Sequence, residues 1–192
     1  MIFYFHGFAS SENSWKIGEL KRHVPKETVT APTLPVDPAE VVKRFEQQNT
    51  ENGKPELVIG SSLGGFYAYY ASARFHIPAV LINPSTTPWE TLKEHTGINK
   101  RYYTGEPFEW KKQYLDTLKK MGDEIDGFEK KHRLLHFFLS KDDEVLDHSG
   151  IPGEFPNAGS IRFFDNCRHS FTRFAEIIPE IKKILLDHSL KS

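Results

Sequence analysis

The segment GSSLG, residues 60–64, places serine hydroxyls between glycines, directly after the apolar residues 57–59. The apolar run predicts a buried strand, and the residues after the glycines have the composition of a helix. A strand, a Gly-x-Ser-x-Gly turn and a helix are typical of a nucleophile elbow, in which the central serine is raised above the strand end. We therefore predict that Ser62 is a nucleophile and that Ser61 is structural. The alternative is a glycine-rich turn without chemistry.

A serine nucleophile needs a base, and the base needs an acceptor that orients it. Nine histidines are present, but only His169 falls just after the last apolar run and just before the last helix-like stretch. This position predicts that His169 is the base. For the acceptor, the segment DDEVLD, residues 142–147, offers several carboxylates after an apolar run. The spacing favours Asp143, with Asp142 as its closest rival and Asp147 next.

An oxyanion that forms on the substrate requires two N–H donors. The first is expected to be the N–H of Leu63, because in a nucleophile elbow the residue after the nucleophile supplies one donor. The second donor is expected from the loop after the first strand, where the sequence His6-Gly7-Phe8 allows a sharp turn. We predict that the N–H of Phe8 is this donor. We interpret His6 as a buried side chain that ties the loop down rather than as a catalytic group.

Strand-like and helix-like segments alternate along the chain, which predicts an α/β fold with a mostly parallel sheet and helices on both faces. Most of the strand-like runs are continuously apolar, as expected for strands that are covered on both sides. The six runs are residues 2–5, 28–31, 57–59, 79–82, 134–139 and 161–164. Helices are predicted at residues 12–23, 38–48, 63–75 and 171–188.

Residues 85–131 interrupt this alternation, because they contain no convincing strand. Among their many charges stand the aromatic residues Trp89, Tyr102, Tyr103, Phe108, Trp110 and Tyr114. A connection of this length is usually functional or forms a subdomain. We predict a helical, cap-like insertion over one edge of the sheet, in which Trp89 and Trp110 contribute to the wall of the substrate pocket. The alternative is an enlarged crossover helix with a small core of its own.

The composition is that of a soluble globular protein, and 192 residues are expected to form a single domain, 1–192. A formal net charge of −1 gives no reason to expect a nucleic-acid partner. No apolar run approaches the length of a membrane span or of a signal peptide. A single cysteine excludes an intrachain disulfide, which suits a reducing compartment, and the cytoplasm is the expected location. The oligomeric state stays open.

The motifs FYFHGFASS, IGSSLGGFYA, DDEVLD and RHSF, in this order and spacing, resemble those of the bacterial YqiA/YcfP-type esterases, which are small α/β-hydrolases. The resemblance covers nearly the whole chain. It implies about six strands in the order 2-1-3-4-5-6, a triad of Ser62, Asp143 and His169, and hydrolysis of small-molecule acyl esters or thioesters. Such a mechanism requires no metal and no organic cofactor. Two alternatives stay open: a non-catalytic binding protein with this fold, and an amidase or peptidase that uses the same triad.

Overall fold

The computed structural model describes residues 1–128 and 132–189. Within these residues the chain forms eight strands and seven α-helices, with short 3-10 turns between some of them. The strands are β1 (Ile2–Phe5), β2 (Val29–Thr30), β3 (Leu57–Ser61), β4 (Ala79–Ile82), β5 (Gly97–Lys100), β6 (Pro107–Trp110), β7 (Leu135–Ser140) and β8 (Ser160–Phe164). The helices are α1 (Trp15–His23), α2 (Pro38–Asn52), α3 (Leu63–Phe75), α4 (Pro88–Thr91), α5 (Lys112–Gly127), α6 (Ile151–Glu154) and α7 (Phe174–Ser189).

Six of the strands form one parallel sheet in the order β2-β1-β3-β4-β7-β8. The predicted order 2-1-3-4-5-6 is therefore confirmed, since β7 and β8 are the fifth and sixth strands of this sheet. The central strands are buried along their whole length, which explains why their sequences are continuously apolar rather than alternating. In this order β3 lies in the interior of the sheet, and the elbow follows its carboxyl end.

Each face of the sheet is covered by helices, as predicted. Because side chains alternate along a strand, Phe3 and Phe5 point towards α2, α3 and α5, whereas Ile2 and Tyr4 point towards α1 and α7. Fully burying one such side chain stabilises the fold by roughly 1.5–3 kcal/mol. The first face is rich in aromatic rings, and on the second face α7 contributes four buried isoleucines.

The insertion after β4 contains more than helices, and the expectation that residues 85–131 lack a strand is wrong. Between α4 and α5, strands β5 and β6 pair as an antiparallel hairpin, with Gly97 opposite Trp110. The sequence shows no apolar run or alternation typical of a strand here, because most residues of the hairpin are polar or exposed. Residues 129–131 of the predicted insertion lie outside the described residues. No helix of the described chain is both long and apolar enough to cross a membrane.

The hairpin is anchored to the loop that follows β1. The N–H of Tyr102 donates to the carbonyl of Ala9 at 2.8 Å, and the guanidinium of Arg101 donates to the carbonyl of Ser10 at 2.9 Å. On the inner side of the hairpin, Phe108 and Trp110 pack edge-on against Phe8. The insertion therefore forms one wall above the carboxyl end of the sheet.

Candidate active site

The turn between β3 and α3 is held in a strained conformation by close backbone packing. Ser62 has φ 56° and ψ −123°, an unusual backbone conformation for a residue with a side chain. The flanking glycines leave no room for a Cβ. A Cβ at Gly60 would lie 2.0 Å from the carbonyl oxygen of Gly64, and one at Gly64 would lie 2.1 Å from that of Phe5. The tight turn raises Ser62 above the end of β3.

The side chain of His169 meets this serine. It comes from the loop between β8 and α7, and its Nε2 lies 3.0 Å from the Oγ of Ser62. The loop is fixed by the buried side chain of Asn83, whose amide donates to the carbonyls of Arg168 and His169 at 2.9 and 3.1 Å. The carbonyl oxygen of the same amide accepts the N–H of Ser140 at 2.7 Å. Asn83 follows β4 and was not singled out from the sequence.

The carboxylate of Asp143 lies on the other side of the imidazole. Its Oδ2 is 2.9 Å from Nδ1 of His169, and its Oδ1 accepts the N–H groups of Val145 and Leu146 at 2.8 and 2.9 Å. A second imidazole, that of the buried His148, lies with Nε2 2.9 Å from Oδ2. Burial by itself would raise the pKa of Asp143, but hydrogen bonds from the two histidines hold it well below the usual range.

The two rival carboxylates have other partners. Asp142 accepts the hydroxyl of Ser140 and the N–H of Cys167, both at 2.9 Å, and so joins the loops after β7 and β8. Asp147 accepts the N–H and the hydroxyl of Ser149 in its own turn. Of the three candidates, Asp143 is the one whose carboxylate reaches His169. His148 was missed because a lone histidine five residues after a carboxylate carries no recognisable pattern.

The loop after β1 crosses directly over the elbow. A Cβ at Gly7 would lie 3.2 Å from the carbonyl oxygen of Ser61 and 3.4 Å from the Cβ of Ser62, so this glycine permits the close approach. The interpretation of His6 is confirmed: its Nδ1–H donates to the carbonyl of Gly7 at 2.9 Å, and its Nε2 accepts the N–H of Leu34 at 3.0 Å. Burial lowers the pKa of His6 to about 4, so the ring is neutral at neutral pH.

The two predicted N–H donors flank this crossing. Leu63 is the first residue of α3, and the first N–H groups of a helix have no partner inside the helix. They also lie at the positive end of the helix dipole, which favours a negative charge nearby. Phe8 lies in the crossing loop, beside Gly7. Its role as the second donor stays a prediction.

An open cleft of about 510 Å³ contains Ser62 and His169 in its lining. Phe8 and Leu92 contribute apolar surface to it. Of the six aromatic residues that the sequence offered as wall, Tyr102 and Tyr103 line the cleft. Tyr102 is largely exposed and Tyr103 about half exposed, as expected of groups at the rim of an open site.

The structure does not bring the two predicted tryptophans into this cleft. Trp110 is buried beneath the crossing loop, with its ring 5.1 Å from that of Phe8 and 5.3 Å from that of Tyr114. Trp89 packs on α3 and α5, where its ring contacts Phe66 and lies against Gly122. Each ring is used to dock the insertion onto the sheet domain, because burial of so large an apolar surface is strongly favourable.

The chain is similar to a known protein family and to several solved structures. The family model described as "Uncharacterised protein family (UPF0227)" matches residues 1–186. The chain belongs to the UPF0227 family. A UPF0227 protein of Shewanella baltica is 27% identical over 194 residues, covering 97% of this chain and 99% of the relative. One from Yersinia pseudotuberculosis is 28% identical over 191 residues and covers 96% of each chain. The resemblance to the YqiA/YcfP type is thereby confirmed.

Solved structures show that this UPF0227 chain has the α/β-hydrolase fold. The monoacylglycerol lipase of Paleococcus ferrophilus superposes with a TM-score of 0.72 at 14% identity, over 97% of this chain and 94% of the lipase. Est1E from Butyrivibrio proteoclasticus gives 0.71 at 12% identity, over 98% and 88%. The esterase domain of a Rhodothermus marinus protein gives 0.67 at 18% identity, over 95% and 84%.

Proposed function

We propose that this protein is a serine hydrolase that cleaves carboxylic esters through an acyl-enzyme intermediate. The observation that carries the proposal is the hydrogen-bonded chain Ser62–His169–Asp143, with the serine on a strained elbow at the floor of an open cleft. Acyl transfer by a serine requires a nucleophile, a base that bonds to it and an acceptor that orients the base, and Ser62, His169 and Asp143 lie in this order. The esterase and lipase activities of proteins with the same fold support the reaction class.

In the first half-reaction, Oγ of Ser62 attacks the carbonyl carbon of the ester while its proton passes to Nε2 of His169. The carbonyl electrons move onto oxygen, and the N–H groups of Leu63 and Phe8 stabilise this oxyanion. When the oxyanion collapses, the bond to the leaving oxygen breaks, and that oxygen takes the proton from His169. The product is an alcohol and an ester of Ser62.

Water then attacks the acyl group, with His169 again taking the proton and returning it to Oγ of Ser62. Throughout both halves Asp143 stays ionised, because its pKa is held low. Its carboxylate fixes the tautomer in which Nδ1 carries the proton and stabilises the imidazolium that forms. The same steps apply to a thioester, whose leaving sulfur takes the proton from His169 and departs as a thiol.

The direct test is the replacement Ser62→Ala, assayed with matched acyl esters, acyl thioesters and acyl amides of increasing length. Residual activity without a triad nucleophile is small, so hydrolysis should fall by about three orders of magnitude or more while the melting temperature is kept. A fluorophosphonate probe should label the native protein and the Ser61→Ala variant but not the Ser62→Ala variant.

Each other outcome has a defined meaning. Labelling that depends on Ser61 would show that the elbow is displaced by one residue. A protein that neither reacts with the probe nor hydrolyses any of these substrates would refute the proposal and favour a binding protein. Cleavage of amides in preference to esters would favour an amidase or peptidase.

A further inference from the structure

Among the polar groups that line the Ser62 cleft, Tyr4 and Lys16 are buried and have no part in the proposed acyl transfer. Tyr4 is only 1% exposed, and its hydroxyl makes no hydrogen bond to any of the residues that the structure describes. Burial, and after it the neighbouring Tyr103, raises the pKa of Tyr4, so the hydroxyl stays protonated. It is therefore a donor without an acceptor, and leaving such a group unsatisfied costs about 1–3 kcal/mol.

Lys16 is a buried cation in the first turn of α1, with 8% of its surface exposed. Its Nζ donates to the carbonyl of Ser170 at 2.8 Å, beside the loop that carries His169. No carboxylate within residues 1–128 and 132–189 forms an ion pair with it. Burial lowers the pKa of Lys16 to about 8, so the side chain is still mostly charged at neutral pH. One of its three N–H groups is used in the bond to Ser170, and Nζ also lies over the ring of Trp15, 5.5 Å from the centroid.

The two charged side chains of the cleft, Lys16 and Glu144, differ in how deeply they are buried. Glu144 also lines it, but this carboxylate is exposed and accepts the backbone N–H of His169 at 3.0 Å. The cation at Lys16 is buried, next to α1. Neither Ser170 nor Trp15 brings a negative charge to it, so an anion that enters the cleft would offset the remaining cost of burying the charge. The hydroxyl of Tyr4 supplies a further donor for the same anion.

We propose that Lys16 and Tyr4 form a subsite for an anionic oxygen group of the substrate, a carboxylate or a phosphate. The preferred substrates are then acidic esters rather than esters of plain alkyl chains. This inference rests on the proposed function, because it names the substrate class of the same site. The anionic group can belong to the acyl part or to the alcohol part of the ester.

The test compares kcat/KM for matched pairs of charged and neutral esters. For the acyl part, 4-nitrophenyl hydrogen glutarate is compared with 4-nitrophenyl pentanoate. For the alcohol part, the butyrate ester of 4-hydroxybenzoate is compared with that of 4-hydroxybenzamide. The native enzyme should favour the charged member of one pair, and that pair identifies which part of the substrate reaches the subsite. The ratio within a pair is the readout, because a general loss of active enzyme cancels in it.

Lys16→Met should lower that ratio by about 10- to 100-fold, since a hydrogen bond to a charged group contributes about 1.5–3 kcal/mol. The exposed Lys120 on α5 provides the control, because Lys120→Met removes the same charge outside the cleft. Tyr4→Phe should lower the ratio several-fold without a loss of melting temperature, because its hydroxyl has no partner in the described protein. If Lys16→Met does not fold, the Tyr4→Phe variant decides.

The inference is overturned if the native enzyme shows no preference in either pair, or if the ratio is the same in native protein, Lys16→Met and Tyr4→Phe. Hydrolysis of neutral esters that depends on Ser62 would leave the proposed function intact in that case. Failure of the proposed function looks different, since all four esters would then be stable in the presence of the enzyme.

Discussion

His148 offers the sharpest test of how the catalytic geometry is held. This buried imidazole lies 2.9 Å from Oδ2 of Asp143, the same oxygen that lies 2.9 Å from Nδ1 of His169. The other oxygen, Oδ1, accepts two backbone N–H groups. In the variant His148→Phe, an aromatic ring of similar shape fills the space, but Oδ2 loses one of its two donors. We expect His148 to be a positioning residue that acts through Asp143.

The magnitude follows from the number and kind of hydrogen bonds. A hydrogen bond to a charged group contributes about 1.5–3 kcal/mol, and each 1.4 kcal/mol corresponds to about tenfold in rate. Because His169 and the backbone donors still hold Asp143, only part of its orienting effect is lost. We therefore expect kcat/KM for esters to fall about 10- to 100-fold in His148→Phe, with KM little changed. The loss should be smaller than that caused by Asp143→Asn.

The assay needs a control that separates positioning from folding. His148→Gln can place an amide N–H near the position of the imidazole Nε2, and it should restore most of the activity. Thermal melting measured for both variants gives the structural cost. If His148→Phe lowers the melting temperature but keeps native kcat/KM, or if the glutamine fails to restore activity in a stably folded protein, the positioning role is refuted.

Three further predictions concern the neighbouring groups. Asp143→Asn should lower kcat for ester hydrolysis about 10³- to 10⁴-fold. Asp142→Asn should lower it less than about tenfold, because the Asp142 carboxylate bonds loop groups only. Kinetics with the reverse ranking would overturn the assignment. The folded-state pKa of His6 is lowered to about 4 from about 6.5, so its contribution of about 3 kcal/mol is complete above pH 6.5 and is lost as the pH falls to 4. Denaturant unfolding across this window should show a shallower loss in His6→Gln than in the native protein, and equal slopes would contradict the buried neutral ring. Gly64→Ala should lower the free energy of unfolding by about 3 kcal/mol, because the new Cβ meets the carbonyl oxygen of Phe5. The control Gly18→Ala, at a helical site with open space, should be neutral or slightly stabilising.

The sheet and the elbow could be predicted from the sequence because both are determined locally. Continuous apolar runs indicate strands covered on both faces, and the order of the strands follows once the fold family is recognised. The glycines at 60 and 64 can be interpreted without coordinates, since only a residue without a Cβ fits that turn. The position of His169 was equally accessible, because it is the one histidine between the last apolar run and the last helix-like stretch.

Other parts of the site depend on tertiary packing and could not be predicted. The strands at 97–100 and 107–110 have four residues each, and most of these are polar or exposed, so they resemble loop sequence until they pair with each other. Which aromatic rings face the cleft depends on how this hairpin docks, and Trp110 turns inward where Tyr102 turns outward. Asn83 joins the end of β7 and the loop after β8 through three hydrogen bonds, and His148 reaches Asp143 within one loop. Such contacts leave no periodicity in the sequence.

The strained conformation of Ser62 links the proposed nucleophile to the loop that carries Phe8, the proposed second oxyanion donor. A residue in such a conformation costs about 1–3 kcal/mol and persists only where its surroundings leave no alternative. Here the restraint is the approach of Gly64 to the carbonyls of Phe5 and His6, the point at which the loop bearing Phe8 leaves β1. Relaxing the elbow would therefore require the loop to move as well. Because this restraint is made by the backbone, it holds the elbow and the loop together without a substrate, which is the preorganisation that the proposed oxyanion site would need.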